Sequence, residues 1–210
     1  MTSTKTPDRI LDAAEELYLE SGFADTSMRS LTQRAGVNLA AVNYHFGTKE
    51  GLFRALVERR FAPINARRIE LLDALEAHGQ PTLEQVLRAL VEPIVDLRLR
   101  DHRGARFLVQ IVNRLAGVDH GAVEEIENVF RQTSARFFPA FGRALPGLTP
   151  ERLHLHAAWV VGVMMGTMLD THAFLDAPEG ADPDAHREHV LAEITTFLGG
   201  ALRAVSGTPA

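Results

Sequence analysis

Apolar side chains recur every three or four positions along almost the whole chain, the spacing that places them on one face of an α-helix. Capping residues, prolines and glycines divide this pattern into separate segments. Helices are predicted over residues 6–22, 27–34, 38–46, 48–76, 82–94, 103–116, 121–144, 150–175 and 184–205. Neither the alternation typical of strands nor an internal repeat is present, so the pattern predicts an all-α fold.

Two of the predicted helices are short and adjoin a tight turn. The helix over 27–34 is stopped by Gly36, and Asn38 caps the helix over 38–46. Two short helices joined in this way form a helix-turn-helix, whose second helix enters the major groove of DNA while the first crosses the backbone.

The second of these helices has one apolar side. Val42 and Phe46 lie four positions apart and are expected to face the core, which turns Ala40, Asn43 and Tyr44 outward. Small side chains allow close approach to base edges, and an outward amide can both donate to and accept from an adenine edge. The outward side is therefore predicted to read DNA.

The fourth predicted helix is long and carries Pro63 in its interior, where a proline cannot donate a backbone hydrogen bond and is expected to interrupt or kink the helix. The predicted domains are a three-helix helix-turn-helix DNA-binding domain over 1–50 and a helical ligand-binding and dimerisation domain over 51–210. The helix over 48–76 is expected to connect them.

Charge is distributed unevenly between the two parts. The whole chain has 22 Lys and Arg against 27 Asp and Glu, which gives a net charge of −5. Residues 1–68 nevertheless carry +2 and the remainder −7, and from Thr26 to Lys49 there are three basic residues and no acid. This asymmetry favours one cationic surface on an acidic body, although a solvated surface with chance variation explains the charge alone equally well.

The candidate DNA-binding residues combine base-reading and phosphate-contacting groups. Phosphates attract cations and hydrogen-bond donors on either side of the groove and supply affinity without sequence information. The predicted set is Thr26, Ser27, Arg29, Asn38, Leu39, Ala40, Ala41, Asn43, Tyr44, His45, Thr48 and Lys49. The alternatives are that the hydroxyl residues are only helix caps and that the two rings are packing groups.

Residues 8–56 resemble the TetR family of bacterial transcriptional regulators. "RILDAAEELYLESGFADTS" is similar to the first helix of that family, and "LTQRAGVNLAAVNYHFGTKEGLF" to its helix-turn-helix and the start of helix four. The resemblance implies a homodimer that binds a palindromic operator, usually as a repressor, and a C-terminal helical domain that accepts a small ligand. Many members carry a small hydroxyl residue where Ala41 stands and a tyrosine where Asn43 stands, so the operator sequence does not transfer. "GVNLAAVNYHFG" and "GTMLDT" resemble more closely a branch that includes fatty-acid-responsive regulators.

The C-terminal half contains aromatic and methionine residues at helical spacing, which fit either a core or an apolar ligand pocket between helices. A few polar groups are expected to orient the head group of a small apolar, acidic effector. The predicted pocket residues are Arg103, Arg106, Phe107, Asn113, Phe130, Phe137, Trp159, Met164, Met165 and Met168. The histidines in this half lack the spacing and carboxylate partners of a metal site, so no metal is expected.

Small residues four apart in "HAAWVVGVMMGTMLD" form a smooth stripe that lets another helix come close, and the last helix offers an apolar seam. A two-fold dimer built on these helices is predicted, which would place two recognition helices about one DNA turn (~34 Å) apart. The predicted interface residues are Ala158, Gly162, Gly166, Ile194, Leu198, Ala201 and Val205. The alternative is that the glycines serve packing inside one subunit.

Other classes of protein receive little support. No catalytic or nucleotide-binding motif occurs, cysteine is absent, and no apolar run is long enough to span a membrane. An enzyme is therefore not expected, and neither is a cofactor; a DNA-binding protein without an effector is the main alternative. The expected partners are a double-stranded DNA operator, a second copy of the chain and a small apolar effector, in the cytoplasm and without a membrane.

Overall fold

A computed structural model describes residues 5–116, 121–168 and 177–207 of the 210-residue chain. Within these ranges the chain forms helices joined by short turns and contains no strand, which confirms the all-α prediction. The helices are α1 Thr6–Asp25, α2 Met28–Ala35, α3 Leu39–Phe46, α4 Lys49–Glu76, α5 Leu83–Arg100, α6 His102–Ala116, α7 Gly121–Ala144, α8 Pro150–Gly166 and α9 Pro183–Ser206. The predicted extension of the eighth helix to residue 175 lies partly outside the described residues.

The ends of the first three helices follow from local chemistry. Gly22 adopts φ +79° and breaks the regular path of α1, as its position after the apolar face predicted. Gly36 ends α2 in the left-handed conformation at φ +63°. Arg9 of α1 donates hydrogen bonds to the carbonyls of Ala35 (2.7 Å) and Gly36 (3.0 Å), so the turn between α2 and α3 is tied to the first helix.

The predicted long helix is present and Pro63 does not end it, while the kink expected at Pro63 stays a prediction. The helix runs from Lys49 to Glu76, 28 residues, with Pro63 in its interior. A proline costs roughly 3 kcal/mol inside a helix, but Phe61 and Ile64 on either side are buried, and burial of two large apolar side chains offsets a cost of that size.

The chain divides into two compact units. The first comprises the chain up to Ala62 together with Arg106–Val129, and the second comprises Pro63–Ala105 together with the chain from Phe130 onward. This division differs from the predicted one in two respects. It falls at Pro63 rather than at residue 50, and it assigns most of α6 and the start of α7 to the N-terminal unit.

A cluster of ion pairs stabilises the first unit. Glu15 of α1 is 4% exposed and accepts hydrogen bonds from two arginines of α4: from Arg59 at 3.1 Å and from Arg60, whose Nε lies 2.9 Å away. Arg59 also donates to Asp12 at 2.8 Å. These bonds fasten α1 to the N-terminal half of α4.

The second unit has an apolar core in which α5 packs against α9. Thr82 and Gln85 form the predicted capping box at the start of α5. Arg187 of α9 pairs with Glu92 (3.1 Å) and Asp96 of α5, and the Asp96 carboxylate raises the pKa of Arg187 above its ordinary value. Helices α5 and α9 are therefore joined by charge as well as by apolar packing.

Candidate DNA-binding site

Helix α3 presents a side that takes no part in the core. Val42 is 1% exposed, whereas Leu39 is 50% exposed and Tyr44 is 85% exposed. Ala40 and Asn43 are exposed beside them, and the Asn43 amide forms no hydrogen bond with any residue in the described ranges. The predicted division of α3 into an inward and an outward side is confirmed by these exposures, and the outward side is available to a groove.

Three of the predicted DNA-binding residues cap helices. Asn38 Oδ1 accepts a hydrogen bond from the Ala41 amide at 2.8 Å, and Ser27 Oγ accepts one from the Ser30 amide at 3.0 Å. Thr48 Oγ1 accepts one from Gly51 at 3.1 Å. All three caps are exposed, and they fix the starts of α2, α3 and α4.

Thr26 lies elsewhere. It is 4% exposed, and its hydroxyl donates a hydrogen bond to the carbonyl of Gly22 at 2.8 Å. The hydroxyl therefore stabilises the break at the end of α1, and its burial makes it inaccessible to a DNA phosphate. The sequence suggested a phosphate contact because a hydroxyl can donate to phosphate, but position in a short polar run does not reveal which hydroxyl turns inward.

The two arginines of α2 differ in their surroundings. Arg34 donates to Glu16 at 3.2 Å and to Glu20 at 2.8 Å on α1, and the Glu20 carboxylate raises the pKa of Arg34. Arg29 is exposed and forms no ion pair with a residue in the described part of the chain. Of the positive charges in the acid-free run, that of Arg34 is neutralised inside the domain and that of Arg29 faces outward.

Lys49 and His45 make contacts within the first unit. Lys49 Nζ donates to the carbonyl of Ala24 at 3.3 Å and lies 4.4 Å from the centre of the Phe23 ring, and burial lowers its pKa. The His45 ring meets the Tyr44 ring edge-on at a centroid distance of 5.0 Å. Lys49 is half-buried, whereas His45 and Tyr44 remain exposed.

The contrast between the two arginines gives a test of the phosphate contacts. Arg29→Gln is expected to weaken binding to all DNA sequences alike and to reduce the slope of log affinity against log salt by about 0.9 for each phosphate contact removed. Arg34→Gln is the matched control, because the Arg34 charge is already paired with carboxylates. Fluorescence anisotropy over a salt series measures both slopes, and equal slopes for the two variants would contradict the assignment.

The first unit also contains a cavity of about 460 Å³. Aromatic and polar side chains line it together; they include Tyr18, Phe23, Phe53, Phe107, Gln110, Asn113 and Arg114. Burial raises the pKa of Tyr18, so its hydroxyl stays protonated at neutral pH. Two of the predicted pocket residues, Phe107 and Asn113, lie at this cavity.

The other predicted pocket residues do not line this cavity. Phe137, Met164 and Met168 are buried in the second unit, and Phe130 and Met165 are half-buried. Trp159 is 59% exposed, and Arg103 and Arg106 are exposed. The predicted pocket residues are thus divided between the two units and the surface. The prediction grouped them because helical spacing alone does not distinguish a pocket lining from a core.

The predicted interface residues are mostly accessible. Ala158, Gly162 and Ala201 are exposed, and Gly166, Ile194 and Val205 are half-buried. Leu198 differs, since it is 3% exposed and packs in the core of the second unit. A side chain built on Gly162 or Gly166 would meet no atom of the described chain within 4 Å, so packing inside one subunit does not require either glycine.

Two residues escaped the sequence analysis. Phe197, next to Leu198, is 64% exposed on α9. Arg68 of α4 is 2% exposed, although arginine is rarely buried. Helical spacing could have indicated both. Phe197 lies four residues before the predicted interface residue Ala201, and Arg68 lies midway between the apolar positions Ile64 and Leu72.

Metal sites and membrane-spanning helices find no support in the described residues. No group of three or more histidines and carboxylates in residues 5–116, 121–168 and 177–207 is placed to hold a metal ion. Over the same ranges, none of the helices has the length and apolar character that a bilayer crossing requires.

The short α2, the glycine turn and the outward α3 define a helix-turn-helix protein of the DNA-binding class. The chain belongs to the TetR family of bacterial transcriptional regulators. Residues 10–56 match the family described as bacterial regulatory proteins, tetR family, and residues 88–201 match the tetracyclin repressor-like C-terminal domain.

Individual relatives agree with this assignment. The HTH-type transcriptional regulator YttP of Bacillus subtilis is 30% identical over 125 residues, which span 60% of this chain and 57% of YttP. The matched region thus covers little more than half the length of that relative.

Solved structures match over more of the chain. A transcriptional regulator from Rhodococcus sp. Rha1 aligns with a TM-score of 0.60 and 25% identity over 93% of this chain and 97% of that one. FadR from Bacillus subtilis, solved in complex with stearoyl-CoA, aligns with a TM-score of 0.67 over 90% of this chain and 97% of FadR. At 18% identity the likeness to FadR concerns the fold alone.

Proposed function

We propose that this protein is a ligand-responsive repressor that binds a palindromic operator as a homodimer and is released from it by a small lipophilic acid. The observation that supports DNA reading is the outward side of α3, where Asn43 and Tyr44 are exposed on a run that contains no acid. Asn43 is the base-reading residue, Ala40 and Ala41 allow close approach to the groove, and Arg29 contacts phosphate.

Exposed apolar side chains support the homodimer. Leu155 (53% exposed) and Trp159 lie one helical turn apart on α8, and Phe197 is exposed on α9. Aromatic side chains such as those of Trp159 and Phe197 are enriched at protein–protein interfaces relative to the rest of a protein surface. The open space at Gly162 and Gly166 allows a second backbone to come close, so α8 and α9 are the proposed contact surfaces.

The position of helix α4 supports a coupling between effector binding and DNA binding. Its first turn carries Thr48 and Lys49, and its residues after Ala62 belong to the second unit. A ligand changes DNA affinity only by binding one arrangement of this helix better than another, and typical couplings are about 1–3 kcal/mol. The stearoyl-CoA bound to FadR shows the kind of lipophilic ligand that this fold accepts in another protein.

Selection of bound sequences from random DNA tests the proposal directly. Wild-type protein is expected to select a palindrome with half-sites about one DNA turn apart. Asn43→Ala is expected to lower operator affinity by about 1–3 kcal/mol and to relax the preference at one base pair of each half-site. Selection of an unchanged motif by Asn43→Ala would contradict base reading by this residue, and failure to select any motif would contradict the proposed function.

A further inference from the structure

Arg68 is a buried cation in the second unit. It lies on α4 midway between Ile64 and Leu72, and only 2% of it is exposed. Its Nε donates to the carbonyl of Leu90 at 2.8 Å, its Nη1 donates to Asn65 Oδ1 at 3.2 Å, and its Nη2 lies 3.8 Å from Met164 Sδ. None of these three acceptors carries a charge.

A guanidinium in these surroundings is costly. It has five N–H donors, and a thioether sulfur is only a weak acceptor. Burial lowers the pKa of Arg68 to about 10, so the group is still protonated at neutral pH and its charge stays in the protein interior. Proteins usually neutralise a buried charge with an opposite one, because an uncompensated charge in an apolar environment is strongly unfavourable.

Arg187 shows the usual solution in the same unit. It is paired with Glu92 and Asp96, and the Asp96 carboxylate raises its pKa. Arg68 forms no ion pair with a carboxylate in the described ranges, and its pKa moves in the opposite direction. Arg68 is therefore built into the core with a positive charge that the described chain does not balance.

Two more polar side chains of this unit each have a buried atom without a hydrogen bond. Thr133 Oγ1 on α7 and His156 Nε2 on α8 form no hydrogen bond with any residue in the described part of the chain. Thr133 lies one turn before Phe137, and His156 lies one turn before Val160, so both share helix faces with residues of the apolar core. Unsatisfied buried polar atoms are rare and call for a specific explanation.

We propose that Arg68 is the recognition site for the carboxylate head group of a lipophilic acid that binds inside the second unit. The planar guanidinium presents paired donors that match the two oxygens of a carboxylate. One negative charge balances the one positive charge, whereas a dianionic phosphate would leave an excess negative charge in the same apolar surroundings. The apolar part of the ligand packs among residues such as Met164.

This inference rests on the proposed effector response and names the residue and the head group that it requires. Arg103 and Arg106, the arginines expected from sequence to meet the head group, are exposed. A carboxylate gains more from a buried guanidinium, because the attraction is weakened less by water.

Ligand binding tests the head group with a matched pair, dodecanoate and dodecanol, on the full-length protein. Wild type is expected to bind the acid at least about tenfold more tightly than the alcohol, since hydrogen bonds between charged groups are stronger than those to a neutral hydroxyl. Arg68→Met is expected to lose this preference and to retain dodecanol binding. Arg103→Met is the control and is expected to keep the preference. Absence of an acid preference in wild type, or its survival in Arg68→Met, overturns the proposal.

Thermal unfolding without ligand gives an independent readout. If Arg68 is retained for ligand recognition at a cost in stability, Arg68→Met is expected to unfold at a higher temperature than wild type, as replacement of buried ionic groups by apolar ones often stabilises a protein. A lower melting temperature, or failure of Arg68→Met to fold, shows that the guanidinium supports the fold and overturns the proposal.

Operator release, measured in parallel, separates the two proposals. Binding of dodecanoate through Arg68 without release of DNA contradicts the proposed effector function and leaves the Arg68 site intact. Release by dodecanoate that is equal in wild type and Arg68→Met supports an effector response and contradicts the role of Arg68.

Discussion

Phe197→Glu is expected to convert the proposed dimer into monomers at micromolar concentration and to lower its affinity for the proposed palindromic operator by about 100-fold or more. Phe197 is 64% exposed on α9, and in the proposed interface it is buried against a second copy, where a carboxylate has no partner. Two linked reading helices bind a palindrome far more tightly than one, so loss of the dimer removes most of the specific affinity. Sedimentation velocity and operator titration measure the two effects.

The control for this variant lies on the same helix. Ala192 is exposed on α9, five positions before Phe197 and therefore about 140° around the helix. Ala192→Glu introduces the same charge and is expected to remain dimeric. If Phe197→Glu sediments like wild type, α9 does not form the interface.

The largest effect on stability is expected from Glu15→Gln. Glu15 is 4% exposed and is the common acceptor for Arg59 and Arg60, so its neutralisation removes one carboxylate from both guanidinium groups, although Arg59 keeps its bond to Asp12. Removal of one partner from a buried ion pair typically costs about 3–5 kcal/mol, and because both arginines are partly exposed we expect about 3 kcal/mol here. Denaturant unfolding of the full-length chain measures this change.

Asp12→Asn provides the comparison for Glu15→Gln. Asp12 bonds the same Arg59, but its side chain is 59% exposed, and an exposed pair contributes about 0–1 kcal/mol. The expected order of destabilisation is therefore Glu15→Gln well above Asp12→Asn. Equal losses of unfolding free energy in the two variants would show that burial of Glu15 does not set its contribution.

The helices and the two sides of α3 were predictable because they depend on spacing and capping, which are local. The capping box at Thr82 and Gln85 and the stop at Gly36 follow from the preferences of those residues alone. The free-energy cost of Pro63 inside a helix is also a local property that the sequence reveals. Its tolerance within α4 depends on packing around the helix, which the local pattern does not contain.

The exposures of individual side chains were less predictable because they depend on which neighbour covers them. Leu198 and Phe197 are adjacent apolar residues of α9, yet one is in the core and the other is on the surface. Trp159 fits a core by its type and is exposed. Arg68 illustrates the reverse case, since its position on an apolar stripe outweighs the usual exposure of arginine. Spacing was the better guide there, and residue type misled.

The outward side of α3 has a consequence for engineering. Leu39, Ala40, Asn43 and Tyr44 are exposed, whereas Val42 anchors the helix and Asn38 caps it. In the proposed function, stability and base preference thus depend on different residues of α3 and its cap. The four outward positions form a cassette that can be rewritten for a new target with little loss of folding free energy. Two copies that differ only in this cassette would share the proposed α8 and α9 contact surfaces and form mixed dimers, so separate use of the two in one cell also requires a change in that interface.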